Sequence, residues 1–218
     1  MNTRFLIPSL FSIALLASCG GEQKPAEEAA PAPETQEPVA ACTYSYSDAP
    51  VTVEWVAYKY TEKTAVSGKF EQVTVNGGGE GSVADALMGA NISIETASSN
   101  SGDPTRDPKI KETFFGSLME GETLSGVISH SMGDENAGQV TVDINMNGMT
   151  HPIEGRYEVK DGQIEMKFEF TVDLFGANEA LNALNKVCED LHKGSDGNSV
   201  LWPDVTVFVT TALDKSCE

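Results

Sequence analysis

Basic residues are scarce in this 218-residue chain: 14 Lys and Arg stand against 33 Asp and Glu, for a formal net charge of −19. That excludes nucleic acid as a partner, because phosphate binding draws its affinity from Lys and Arg that displace condensed counterions, and no basic patch is legible in the sequence. Aromatic residues make up only 7%, beside 20 Gly and 10 Pro, a composition that fits a turn-rich globular domain with a flexible segment and not a fibrous chain. The three histidines, His130, His151 and His192, are far apart and lack the four-residue spacing of a helical zinc pair. Met146 and Met149 with His151 offer thioether and imidazole suited to copper, but Met146 falls on an apolar strand face and reads as core, so no metal site is expected. No Gly-x-Ser-x-Gly elbow occurs. Gly77-Gly78-Gly79 lacks the Lys-Ser/Thr of a phosphate loop and reads as a hairpin tip. Enzymatic activity and cofactors are therefore not expected. Beyond residue 16 no apolar run is long enough to span a bilayer as a helix.

What is present starts with Arg4 and the apolar run Phe5 to Leu16, the length and polarity of a signal peptide. The run ends in Leu16-Ala17-Ser18-Cys19, which resembles the lipobox of bacterial lipoproteins. That resemblance implies cleavage after residue 18, acylation of Cys19 with palmitate-type chains, and attachment to the membrane. Gly20 follows in place of the acidic residue that marks inner-membrane retention, so the expected location is the cell envelope. There the chain would be an outer-membrane lipoprotein, with its domain in the periplasm or at the cell surface. Residues 19–41 are rich in Pro, Ala and Glu without large apolar side chains, and read as a disordered stalk. Two or more acyl chains anchor stably where one binds marginally.

Residues 42–218 carry the folded domain, and its dominant signal is strict alternation, the mark of strands with one buried face. Val140, Val142, Ile144 and Met146 alternate with polar residues, as do Ile164, Met166, Phe168, Phe170, Val172 and Leu174, and Val205, Val207 and Val209. Weaker runs at 51–60, 66–75, 91–97, 123–131 and 152–160 bring the count to about eight strands, the size of a closed antiparallel barrel. Asp161-Gly162 is a hairpin signal between two runs. Three short helices interrupt: Ser82 with Asp85 as a capping box and Gly89 as the stop, Asp107-Pro108 as an N-cap with proline at the first helical position, and 178–191 with Leu181, Leu184, Cys188 and Leu191 on one face. His192 reads as a cation at that helix's C-terminus, and His151 as a solvated turn residue. Whether the lumen is packed or holds a ligand stays open from periodicity alone. A packed barrel acting through its surface is the alternative.

Several motifs in order resemble the YceI-like family of secreted, lipocalin-like barrels. They are Val53-Glu54-Trp55, Val66-Ser67-Gly68-Lys69-Phe70, Arg106-Asp107, Lys109-Ile110-Lys111, Phe114-Phe115-Gly116 and Gly148-Met149-Thr150-His151-Pro152-Ile153. The resemblance spans nearly all of 42–213. It implies a mainly β fold, an eight-stranded antiparallel lipocalin-like barrel with short helices in its loops. It also implies a lumen that holds an isoprenoid-tailed lipid, for example a quinone, for a carrier, sequesterer or sensor. The lumen residues it points to are Phe114, Phe115, Ile144, Met146, Met166, Phe168, Phe170 and Val172. The segment 178–191 and Trp202-Pro203 are more elaborate than the simple loop expected before the last strand, so one barrel mouth is expected to differ.

Three cysteines remain beside Cys19. In an oxidising compartment one disulfide is expected. Cys42 with Cys217 is favoured if the first and last strands lie side by side, leaving Cys188 on the buried helical stripe, and Cys42 with Cys188 is the alternative. Nothing in the sequence sets the oligomeric state, and a homodimer stays open.

Overall fold

The computed structural model describes residues 42–46 and 48–217. The expected signal peptide, the acylated Cys19 and the stalk lie outside the described residues. In chain order the strands are β1 (Cys42–Ser45), β2 (Thr52–Lys59), β3 (Thr64–Phe70), β4 (Val73–Asn76), β5 (Glu80–Gly81), β6 (Asn91–Glu95), β7 (Ser99–Asn100), β8 (Thr123–Gly133), β9 (Ala137–Met146), β10 (Met149–Lys160), β11 (Gln163–Thr171), β12 (Leu201–Ala212) and β13 (Asp214–Cys217). Helix α1 spans Val83–Leu87, α2 Asp107–Lys109 and α3 Asn178–Val187.

Ten of these strands form one antiparallel sheet in the order β4-β6-β8-β9-β10-β11-β12-β2-β3-β7. The chain bends between β3 and β4 at Glu71-Gln72, and between β6 and β7 through a 3-10 turn at Thr96–Ser98. β4 pairs with β6 while β3 pairs with β7, so the two ends of the sheet belong to the same two bent strands. Glu71 N donates to Ser98 O at 3.2 Å and Glu95 N to Gln72 O at 3.1 Å across the bend. Counted this way, eight strands close on themselves, as the alternation leads one to expect. Closure removes the open edges of this sheet.

Two-residue turns set the register. Asn147-Gly148 and Asp161-Gly162 both take positive φ at both positions (56° and 69°, 53° and 79°), the backbone whose twist matches that of antiparallel strands. Inward positions then carry the core, with Ile164, Val140 and Val53 almost fully buried. Two cross-strand pairs set a large ring over a glycine. A Cβ at Gly68 would lie 2.3 Å from the Trp55 ring, and one at Gly155 would lie 2.5 Å from Phe168. These glycines let the rings lie flat on the neighbouring strand. Tyr157, wholly buried, donates its hydroxyl to Asp134 O at 2.9 Å, and burial with the nearby Asp134 carboxylate raises its pKa.

A second sheet, β13-β1-β5, involves the two ends of the domain. β1 and β13 are antiparallel with Cys42 opposite Cys217, and these two cysteines form a disulfide, leaving Cys188 free and buried.

The structure corrects three local readings. The run from Ile164 to Leu174 is not one strand: β11 ends at Thr171, and Val172–Phe175 form a 3-10 turn ended by Gly176 in the left-handed region. Val172 and Phe175 are buried by that turn and Leu174 is exposed, because the tighter helical spacing replaces the period of two. Asp107 is the first residue of α2 and not its cap. Its carboxylate accepts from Ser101 N at 2.8 Å and from the Ser101 hydroxyl, while Arg106 is the capping position. Gly77-Gly78-Gly79 is no free hairpin tip. Gly79 N donates to Ala86 O at 3.3 Å, and a Cβ at Gly79 would strike Asp85 O at 2.2 Å, so the run lies against α1. The capping box of α1 is present, with Asp85 N donating to Ser82 Oγ at 3.2 Å and Ser82 N to Asp85 Oδ2 at 3.0 Å.

Candidate functional site, an apolar lumen

Inward alternation from eight strands brings apolar side chains to the axis, and they do not fill it. A first chamber of about 140 Å³ lies at the end of the barrel closed by α3 and the 106–118 segment, and a second of about 100 Å³ lies deeper. Phe70, Leu124, Met146, Phe170 and Val207 line both. A third space of about 20 Å³ shares Ile92, Ile128, Met166 and Val209 with the second. The chambers thus follow one another along the interior through shared lining residues. Met146 is among the residues shared by the first two chambers and Met166 among those shared by the second and third, and their unbranched thioethers are the most adaptable side chains at these places.

All eight lumen residues expected from the sequence line these chambers. Phe114, Phe115 and Val172 face the first, Ile144, Met166 and Phe168 the second, and Met146 and Phe170 both. Phe114 and Phe115 meet edge to face at 5.2 Å, and Phe115 approaches Phe70 at 6.0 Å. These contacts hold the double-Phe segment in the wall. The segment runs from α2 through a wide turn at Ile110–Phe114 and a 3-10 turn at Phe115–Ser117. Every residue of the first chamber is Ala, Val, Leu, Ile, Met, Phe or Trp. Such a wall excludes charge, because an unpaired ion there would lose its hydration without a partner.

Sequence reasoning missed both tryptophans, which stand in the first chamber's wall with Ala57, Leu181, Leu184 and Leu201. Trp55 could have been found, since it shares its face of β2 with Val53 and Ala57 by simple alternation. Trp202 carried no periodic signal. Its indole donates to Tyr60 O at 2.7 Å, which turns the ring over the chamber. Leu181 and Leu184 were legible as the apolar stripe of a helix, but not as the lid of a lumen. The indole nitrogen of Trp55 is buried without a hydrogen-bond partner among the described residues.

Two histidine readings change. His151 is not in a loop: the turn is only Asn147-Gly148, so β10 has begun and its alternation turns His151 inward, opposite Ile144. The ring packs edge-on against Phe175 at 5.3 Å, and its Nε2 is buried with no hydrogen-bond partner among the described residues. His192 follows a helix end as expected, capping the 3-10 turn Glu189–Leu191, but not as a cation. It is 8% exposed, its Nδ1 lies 2.8 Å from Asn185 Oδ1, and burial, aided by Lys59 and Lys109, lowers its pKa to about 4. It is therefore neutral at pH 7. Burial raises the Cys188 thiol pKa, against the opposing pull of Lys109, Lys59 and Arg106, so this cysteine is a small apolar residue of the lid. Among the described residues no group of three or more His, Cys, Asp or Glu is placed to hold a metal ion.

A family profile described as a YceI-like domain matches residues 44–209. Among solved structures, the chain is similar to a polyisoprenoid-binding domain from Saccharophagus degradans implicated in plant cell wall breakdown, with a TM-score of 0.54 at 12% identity over 82% of this chain and 100% of that one. It is also similar to BcnA of Burkholderia cenocepacia, with a TM-score of 0.51 at 13% identity over 76% of this chain and 96% of that one. No curated protein matches the chain. At such identity the structural likeness speaks for the fold, whereas the profile match covers most of the chain. A closed eight-stranded barrel with an apolar interior and a profile match from the first strand to the last long one together place this chain in the YceI-like family.

Proposed function

We propose that this protein binds an isoprenoid-tailed lipid in its barrel lumen and acts as a carrier, sequesterer or sensor of that lipid in a bacterial envelope. The observation that carries the reading is the file of chambers whose walls are apolar almost throughout. Each methylene-sized group moved from water into such a wall contributes about 0.8 kcal/mol, so a chain of several isoprenoid units is held without polar contacts. The polyisoprenoid binding named for the Saccharophagus domain supports the same class of ligand here. An apolar lumen suits holding a lipid and not transforming it, so the reading is of a binding protein. The apolar run and Cys19 at the N-terminus support an outer-membrane lipoprotein whose barrel stands off the membrane on its stalk, within reach of the bilayer that supplies the lipid.

Both tryptophans of the chain line the first chamber, which makes intrinsic fluorescence a direct test. Titration with geranylgeraniol, a neutral alcohol with a twenty-carbon isoprenoid tail, is expected to shift and saturate the emission at one lipid per chain. Emission that stays unchanged up to the solubility limit of the alcohol would contradict the proposal.

A further inference from the structure

We infer that the lumen is blind at its α1 end, and that this floor limits the lipid it holds to a tail of about four isoprenoid units. The inference rests on the lipid-binding reading above and goes on to the size class of the lipid.

The two ends of the lumen are built differently. Under α3 the first chamber measures about 140 Å³, and Ile110, Phe114, Leu181 and Leu184 in its wall are only half-buried. At the other end the third space measures about 20 Å³, walled by Ala86 and Leu87 of α1, by Tyr46 and Val51, and by Leu213. Ala86 and Leu87 are 1% and 4% exposed. Entry therefore falls to the α3 end, and the tip of the tail comes to rest on α1.

Local structure holds this plug in place. The capping box at Ser82 starts it. Gly89 N donates to Ile128 O at 2.9 Å and Ile128 N to Ala90 O at 3.0 Å, which ties its C-terminal end to β8. Gly77-Gly78-Gly79 runs against its back. A Cβ at Gly78 would lie 2.8 Å from Ala86 O, and one at Gly79 2.2 Å from Asp85 O, so only a backbone without side chains approaches the helix this closely. The run leads into β5, which pairs with β1 at Tyr44 and Ser45. β1 packs against α1 and is joined to β13 through Cys42 and Cys217. The Tyr46 hydroxyl donates to Ala49 O at 2.9 Å, which fixes the bend that carries Tyr46 and Val51 into the floor. The disulfide thus clasps the small sheet that backs the plug.

Strand β12 measures the depth. Val205 faces the first chamber, Val207 the first and second, Val209 the second and third, and Thr211 the third. From Val205 to Thr211 the strand advances about 20 Å at about 3.4 Å per residue, which is about 15 Å along the axis at a tilt of about 40°. An isoprenoid unit puts four carbon–carbon bonds in line, about 5 Å of zigzag at about 1.5 Å per bond. The lumen below Val205 thus takes about three units, and the mouth beside Leu201 and Trp202 takes about one more. A longer tail leaves its surplus in water, at a loss of at least about tenfold in affinity per unit.

The test uses protein made from its full sequence and linear prenyl alcohols of three, four, six and nine units, presented together in micelles of a nonionic detergent. Every tail is then already out of water, so one that fits gains little from its length and one that does not fit is penalised. Native mass spectrometry reads which alcohol the protein holds. The three- and four-unit alcohols are expected to bind alike, and those of six and nine units to fall behind by at least about tenfold. Leu87→Ala trims the plug, and Cys42→Ser with Cys217→Ser unclasps it. Each should narrow the deficit of the six-unit alcohol at least about threefold. Destabilisation alone would lower all lengths together and leave their ranking as it was. A nine-unit alcohol held by the unaltered protein as well as the four-unit one, or a ranking unmoved in both variants, overturns the inference and leaves the lipid-binding reading standing. If the variants fail to fold, the series on the unaltered protein decides the matter. Failure of every alcohol to bind removes the lipid-binding reading and this inference with it.

Discussion

Replacing Ala57 by leucine separates a hollow lumen from a packed one by the sign of its effect. Ala57 faces the first chamber beside Trp55, Leu201 and Val205. Leucine adds three carbons, and in a space of about 140 Å³ they find room without moving the wall. At about 0.8 kcal/mol per buried methylene, the ligand-free protein should become more stable by up to about 2 kcal/mol. The same three carbons occupy the volume an isoprenoid unit would take, so lipid affinity should fall at least about tenfold, which is a comparable free energy. A packed barrel would respond in the opposite sense, since extra carbons in a filled core cost about 1–3 kcal/mol. Urea unfolding of the lipid-free variant, followed by tryptophan emission, gives the first number, and titration with geranylgeraniol gives the second. Destabilisation by more than about 1 kcal/mol with lipid affinity intact would refute the reasoning.

Other expectations follow from single features. His192 has a folded-state pKa of about 4 against about 6.5 unfolded. The unfolded chain therefore binds the extra proton between those values, and stability should fall as pH drops from about 6.5 to about 4, by up to about 3 kcal/mol. His192→Gln, which retains a hydrogen-bonding group for Asn185, should flatten that window in urea unfolding at graded pH, and a slope unchanged by the substitution would contradict the assignment. The Cys42–Cys217 disulfide closes a loop spanning 175 residues. Cys42→Ser with Cys217→Ser should cost about 2–5 kcal/mol, read as a lowered melting temperature, and an equal loss on treating the double variant with reductant would point elsewhere. Gly68→Ala puts a methyl 2.3 Å from the Trp55 ring and should displace that ring, changing the emission spectrum and weakening lipid uptake together. Tyr157→Phe removes the hydroxyl donated to Asp134 O and should cost about 1 kcal/mol in thermal unfolding, without effect on lipid binding.

The strands were legible because inward and outward positions alternate with few exceptions, and eight runs of that pattern admit closure. The lumen residues followed from the same period, which is why Ile144, Met146, Met166, Phe168 and Phe170 were identifiable without coordinates. Val172 reached the wall by a different route: a 3-10 turn buries it where a strand was expected, and period-two reasoning cannot see that substitution. His151 was misread because the turn before it takes only two residues, a length that Asn147-Gly148 encodes only if both adopt positive φ. Cys188 was legible as a buried residue of the helical stripe, whereas the neutral state of His192 was beyond sequence reasoning, since it depends on burial beneath a lid formed by distant segments.

The central claim is that the barrel holds a lipid, and native mass spectrometry of protein recovered from a bacterial envelope addresses it most directly. The account predicts a mass above that of the polypeptide by one isoprenoid lipid per chain, released by solvent extraction. A bare mass that stays bare after incubation with envelope lipids would contradict it.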